Sequence, residues 1–184
     1  MRIWAGLTGV LCGLALAVSA CGGDPGATPG ASKRSTASPS QAATSTVSGP
    51  LDVCGLLTPA DLEQAFGNPF GAGEGSHQDQ TGADQCVWTN TDAPPVRTFS
   101  VTVLRQGSIS GALKDSGMGV KELHESAKAA LGNVESVDLG DDAYLAGSTL
   151  AVLEGDTEYT FSTAFGDSAE AVSGMEALAA KMLG

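Results

Sequence analysis

The stretch TFSVTVLR, residues 98–105, is the part of the sequence that decides the fold class. Apolar and hydroxyl side chains alternate along it, and this period of two is typical of a β-strand. Phe99, Val101 and Val103 would point to one face, and Ser100 and Thr102 to the other. The pattern therefore predicts a strand with one buried face.

Helices are predicted on both sides of this strand along the chain. Thr58 can cap a helix that starts at Pro59 and stops before Gly67. Residues 120–131 carry an apolar stripe with helical spacing. A last helix starts at residue 167 or 168, where an Asp and a Ser can both act as caps.

Further short strands are predicted at residues 86–89 and in the region 134–165, where Gly155-Asp156 favours a hairpin turn. Residues 68–83 and 107–119 are interpreted as loops. The predicted class is α+β, an antiparallel sheet with helices packed on one face. The predicted order is helix, two strands, helix, three strands, helix.

Cys54 and Cys86 are the two cysteines of the region that follows residue 50. An isolated pair in an exported protein predicts a disulfide. A metal site is the alternative, but two cysteines do not complete a ligand set and neither histidine has ligand spacing to them. We therefore expect a disulfide, and neither a metal nor a cofactor.

The first twenty residues have the features of a bacterial lipoprotein signal peptide. Met1-Arg2 gives a short basic start, residues 3–20 are uncharged and mostly apolar, and Leu16-Ala17-Val18-Ser19-Ala20 leads to Cys21. A plain secretory signal and a membrane span are the alternatives. The favoured interpretation makes Cys21 the site of lipid attachment and places the protein on the extracytoplasmic face of the cell membrane.

Residues 21–50 are predicted to be a disordered tether behind the lipidated cysteine. From residue 22 onward, all but five residues are Gly, Pro, Ser, Thr or Ala, and Val47 is the one sizeable apolar residue. Such a composition buries too little surface to offset the entropy lost on ordering. Residues 51–184 are long enough for a single domain with a true core.

The charge distribution restricts the partners of this domain. The chain has a formal net charge of −12, and residues 51–184 hold 20 of its 21 Asp and Glu. This balance argues against nucleic acid and against flat docking on anionic lipid. A solvated surface is the simplest interpretation, and recognition of cations is the sharper one. A monomer is expected.

Three groups of polar residues are candidates for chemical sites. His77 lies between Glu74 and Asp79 in the predicted loop and is interpreted as an exposed histidine. His124 lies beside the apolar stripe of its helix and is interpreted as a boundary residue. Asp138 with residues 140–142 could supply calcium ligands, but the spacing favours a turn.

The sequence resembles an uncharacterised family of lipoproteins from high-GC Gram-positive bacteria, catalogued as a domain of unknown function. The resemblance rests on Cys54-Gly55-Leu56-Leu57-Thr58, Phe66-Gly67, Cys86-Val87-Trp88, residues 139–144 and the Gly155-Asp156 turn. It implies a Cys54–Cys86 disulfide and a lipid on Cys21. It implies no activity.

We therefore expect a non-catalytic binding module of the cell envelope. Its ligand would be a small, lipidic or wall-derived molecule held between sheet and helices. The alternative is an interaction or scaffold subunit of an envelope complex, whose tether raises its local concentration. An envelope hydrolase is the third hypothesis, and it lacks a recognisable nucleophile with its base.

Overall fold

The computed structural model describes residues 49–90 and 95–184. The predicted signal peptide, Cys21 and all but the end of the predicted tether lie outside the described residues, as does most of the turn predicted at residues 92–95. Among the described residues, no helix combines the length and the apolar character needed to cross a membrane.

The described residues form one antiparallel sheet of seven strands with four helices. The strands are β1 (Glu74–Gln78), β2 (Ala83–Thr89), β3 (Thr98–Arg105), β4 (Glu135–Val137), β5 (Asp142–Ala146), β6 (Thr149–Glu154) and β7 (Thr157–Thr163). The helices are α1 (Pro59–Phe66), α2 (Gly111–Asp115), α3 (Val120–Leu131) and α4 (Ala169–Leu183). Two 3₁₀ turns lie at Val53–Leu56 and Gln106–Ser108. Across the sheet the strands are ordered β1-β2-β3-β7-β6-β5-β4.

The predicted antiparallel sheet and the strand predicted at residues 98–105 are confirmed, but the predicted order of elements is wrong. Residues 74–78 form strand β1 instead of a loop, and residues 111–115 form the short helix α2. Four strands, not three, separate α3 from α4. These segments are short or exposed, so they show little of the periodicity on which the prediction depends.

The helices cover both faces of the sheet, so the prediction of helices on one face is wrong. Asp142, Leu153 and Glu158 are paired across β5, β6 and β7 and therefore share one face. His124 of α3 hydrogen-bonds both acids, which places α3 on that face. Four consecutive residues of β6, 150–153, are buried, as expected for a strand covered on both sides.

Phe99 of β3 lies at the centre of the main core, on the opposite face. Its ring centroid lies 5.2 Å from that of Phe66 on α1, 5.8 Å from Trp88 and 6.5 Å from Phe161. Helix α4 closes the same side with the fully buried Met175. The apolar residues of the alternation at 98–105 thus lie on the face of the sheet that α1 and α4 cover.

The predicted disulfide is confirmed: Cys54, in the first 3₁₀ turn, is bonded to Cys86 of β2. It fastens the segment before α1 to the interior of the sheet. A Cβ on Gly73 would collide with Cys86 Sγ and with the indole of Trp88. This close approach accounts for the glycine ahead of β1, because any side chain there would displace the bridge.

Candidate functional site

A groove runs along the outer edge of the sheet, between strand β4 and helix α4. It consists of two depressions of about 510 and 460 Å³ that share Glu135 in their linings. We call it the edge groove. It is lined by β4, by the turns beside β4 and by residues of α4. The lining residues are Asn133, Glu135, Ser136, Val137, Asp138, Leu139, Leu145, Gly147, Asp167, Ala169, Val172, Glu176 and Ala180.

The local sequence builds the groove by keeping β4 short. Gly132 follows α3 with a φ of +76°, which the absence of a side chain permits, and the chain then turns into a strand of three residues. β4 pairs with β5 through Glu135↔Leu145 and Val137↔Ala143 and ends the sheet. Its outer edge therefore presents backbone groups that make no strand pairing within the described residues.

The edge groove is apolar at its base and acidic at its rim. Val137, Leu139 and Val172 are half-buried and pack against the core. The ionisable residues in the lining are all acids, namely Glu135, Asp138, Asp167 and Glu176. None of the salt bridges between described residues includes any of these four acids. The groove thus offers negative charge that a ligand can neutralise.

A second crevice, of about 390 Å³, lies between α1 and α4 and includes Ala65, Gly174 and Leu178. One side of it carries an ion pair between Asp61 and Lys181. A hydrogen bond from Lys181, with further bonds from Thr58, lowers the pKa of Asp61 to about 2. Asp61 also completes the cap of α1 with Thr58, so its charge already has partners in the fold.

Asp84 of β2 is buried, and its carboxylate lies within hydrogen-bond distance of three nitrogen atoms. It accepts hydrogen bonds from the Leu51 N–H at 2.9 Å and from Arg105 Nη2 at 3.1 Å. His77 Nδ1 lies 2.7 Å from its other oxygen. Burial alone would raise the pKa of Asp84, but these hydrogen bonds outweigh burial and lower it. We call these four residues the Asp84 cluster.

The second histidine, His124, is fully buried between α3 and the sheet. Its Nδ1 lies 3.1 Å from Glu158 Oε1 and its Nε2 lies 3.2 Å from Asp142 Oδ2. Each ring nitrogen therefore has a carboxylate oxygen within hydrogen-bond distance. Lys128 also binds Asp142 and lowers the pKa of that acid. The arrangement fastens α3 to the sheet.

The polar residues singled out in the sequence lie in other places than predicted. His77 lies on β1, not in a loop, and His124 is buried, not at a boundary. The acids considered for calcium do not converge, since Asp138 lines the edge groove while Asp141 accepts a hydrogen bond from the Gly155 N–H. In the described part of the chain, no group of three or more His, Cys, Asp or Glu side chains is placed to hold a metal.

Sequence reasoning missed the residues that define the edge groove and the Asp84 cluster. Glu135, Asp167 and Glu176 are far apart in the sequence and follow no motif. Asp84 had one available signal, its place two residues before Cys86 on the same strand, which puts both side chains on one face. The remaining partners come together through tertiary structure.

Fold and groove together define an α+β module held by one disulfide, with an acidic groove at the edge of its sheet. The chain belongs to the family described as a protein of unknown function, DUF3558, whose model matches residues 16–180. No curated protein and no solved structure matches the chain.

Proposed function

We propose that this protein is a lipid-anchored binding subunit of the cell envelope of a high-GC Gram-positive bacterium. The support is the pattern of residues 1–20, which predicts a lipoprotein signal peptide ahead of Cys21, and the predicted tether rich in small and hydroxyl residues that follows. Two acyl chains on one cysteine would hold the protein at the membrane durably. The tether would let the folded part sample the layer beyond the headgroups.

Binding is a better explanation of the described residues than catalysis. The side-chain partners of His77 and of His124 are carboxylates, and within the described residues neither histidine has a hydroxyl or thiol side chain as a hydrogen-bond partner. A hydrolase of the serine or cysteine type needs such a nucleophile beside its base. Both histidines instead bridge elements of the fold, which is a structural role.

The edge groove carries the proposal, and it favours a protein partner. The groove is open and elongated and lies beside an unpaired strand edge, which suits an extended chain better than a compact small molecule. The protein would then act as an interaction subunit of an envelope complex. A small ligand in the α1–α4 crevice is the second candidate, because about 390 Å³ falls within the range of small-molecule sites.

Crosslinking in the native host tests the interaction role. A photoreactive amino acid replaces Ser136, at the middle of β4, in the full-length protein. The matched control replaces Ser76, an exposed serine at the middle of β1 on the other edge of the sheet. We expect a discrete adduct from position 136 that is lost in an E135K/E176K background. No adduct at 136, or the same adducts from both positions, would contradict the interaction role.

Anchoring is tested separately by replacing Cys21. Mass spectrometry of the mature wild-type protein should show a diacylglyceryl cysteine at its N-terminus, and the protein should sediment with membranes. The Cys21→Ser variant should lose the lipid and leave the membrane fraction. Recovery of wild-type protein with an unmodified Cys21 in the cytosol would refute the proposed location.

A further inference from the structure

We propose that the edge groove receives an extended segment of a partner polypeptide that carries Lys or Arg at alternate positions and adds to the sheet beside β4. This inference rests on the interaction role proposed above and specifies its partner. Three observations on the described residues support it: a strand edge that no other described strand pairs with, a groove with an apolar base beside that edge, and a rim of acids that form no salt bridge with another described residue.

The strand edge supplies backbone recognition. Glu135, Ser136 and Val137 pair with β5 on one side, and the sheet ends at β4 on the other. None of these three residues takes part in a turn, loop or cap hydrogen bond between backbone groups of the described residues. An added strand would satisfy the outward N–H and C=O groups, which is how extended peptides bind at sheet edges.

The groove supplies side-chain recognition. Glu135 and Val137 lie two residues apart on β4, so both side chains face the same side of the sheet. Leu145 is paired with Glu135 and shares that face, which α4 also covers. An added strand has the same period of two, so every second side chain of the partner would enter the groove.

Charge selects the class of partner. Glu135, Asp138, Asp167 and Glu176 line the groove, and no lysine or arginine is among the lining residues. Lys181 of α4 and Lys128 of α3 lie on or next to the elements of the groove. Lys181 is paired with Asp61 and Lys128 with Asp142. Basic side chains of the partner would therefore find four acids that no described lysine or arginine pairs with.

The same charges disfavour the other occupants. Edge-to-edge pairing with a second copy through β4 would bring two Glu135 side chains and their acidic neighbours together, at a cost in repulsion. Anionic lipid headgroups and nucleic acids would meet a rim of their own sign. A basic extended polypeptide is the occupant that satisfies both the strand edge and the rim.

The test uses the full-length Cys21→Ser protein and a hexapeptide of alternating Lys and Val with a fluorophore at one end. Fluorescence anisotropy measures binding, and amide chemical shifts locate it. We expect salt-dependent binding with shifts at residues 135–139. A peptide of alternating Glu and Val should not bind. Methylation of the backbone nitrogens at every second residue should weaken binding by about tenfold or more, because those N–H groups form the added ladder.

The protein variants provide a charge-matched control. E135Q/E176Q should weaken binding about two- to tenfold, since each exposed pair contributes modestly. E63Q/E125Q removes the same charge from exposed positions on α1 and α3 and should leave binding unchanged. Circular dichroism verifies that all variants fold.

Three results would overturn the inference: no binding of the Lys-Val peptide, equal binding of the methylated peptide, or equal weakening by the two double variants. If one of these results is obtained while position 136 still gives its adduct, only the basic added strand is refuted. The interaction role then stands. Loss of the adduct as well would refute both.

Discussion

The carboxylate of Asp84 on β2 accepts a hydrogen bond from the backbone N–H of Leu51 at 2.9 Å, across 33 residues of sequence. The same acid binds Arg105 of β3, whose Nη2 also donates to the Gly49 carbonyl oxygen at 2.5 Å. The first described residues are thus held by a side chain from the interior of the sheet. Asp84 is 1% exposed, so its carboxylate depends on these protein donors rather than on water.

Replacement of Asp84 by Ala should destabilise the protein by about 3–5 kcal/mol, because it removes the buried carboxylate that Leu51, His77 and Arg105 share as a hydrogen-bond partner. Urea unfolding followed by tryptophan fluorescence measures the loss. Asp79→Asn is the matched control, since the Asp79 side chain is 99% exposed. A loss below about 1 kcal/mol for Asp84→Ala would show that the cluster is dispensable.

Stability should fall when the pH drops below about 4. The pKa values of Asp61, Asp84 and Asp142 are lowered in the folded protein, that of Asp61 to about 2 from an ordinary value of 3.8. Between these limits the unfolded chain binds more protons, so stability rises with pH. The contribution is complete above the ordinary pKa and disappears as the pH falls through the folded pKa.

Thermal unfolding between pH 6 and pH 2.5 tests this expectation. The midpoint should be level near pH 6 and decline steadily below pH 4. Asp61→Asn removes one of the three acids and should reduce the decline. A midpoint that stays constant or rises on acidification would contradict the assignment of these hydrogen bonds.

Replacement of His124 by Ala should release α3 from the sheet. The substitution removes a buried ring and leaves Asp142 and Glu158 without their shared donor, at a cost of about 3 kcal/mol. Hydrogen exchange should accelerate in residues 120–131 far more than in α4, because α4 packs on the opposite face. Lys121→Ala, at an exposed position of the same helix, should change stability by less than about 0.5 kcal/mol.

Gly174 on α4 should not tolerate even alanine. The change would favour the helix by about 1 kcal/mol in an exposed position. Here the added Cβ would lie 2.5 Å from Phe66 Cε1 and 2.9 Å from the Ala65 carbonyl oxygen, and the backbone oxygen cannot move aside. Overpacking costs about 1–3 kcal/mol, so the net effect should be a loss. Ser173→Ala, at the exposed neighbour, should be neutral; a more stable Gly174→Ala protein would refute the tight contact.

Much of the fold could be predicted because its signals are local. The strand at 98–105 and the helix at 120–131 have the predicted bounds, since each carries an uninterrupted period. Thr58 caps α1 as expected, because its Oγ1 accepts a hydrogen bond from the Asp61 N–H. The Cys54–Cys86 pairing followed from the count of cysteines together with the prediction that the protein is exported.

The remaining features depend on which face of the sheet each element packs against. His124 was predicted at a boundary because a polar residue does not reveal that α3 covers the second face of the sheet. There the Tyr144 ring packs against His124 at a tilt, with 5.0 Å between the ring centroids. β1 showed no alternation because all five of its residues are exposed. The edge groove is assembled from β4 and α4, whose sequences contain no common pattern. Features of this kind become visible only in the tertiary structure.

The Cys54–Cys86 bridge also determines how the folded part would respond to a pull on its N-terminal side. Tension that arrives at Cys54 can pass through the bridge directly into β2, at the interior of the sheet. The 32-residue span between the two cysteines contains α1 and β1, and the bridge takes this span out of the mechanical path. On the tether proposed above, the folded part would then bear such a pull without unwinding its first helix.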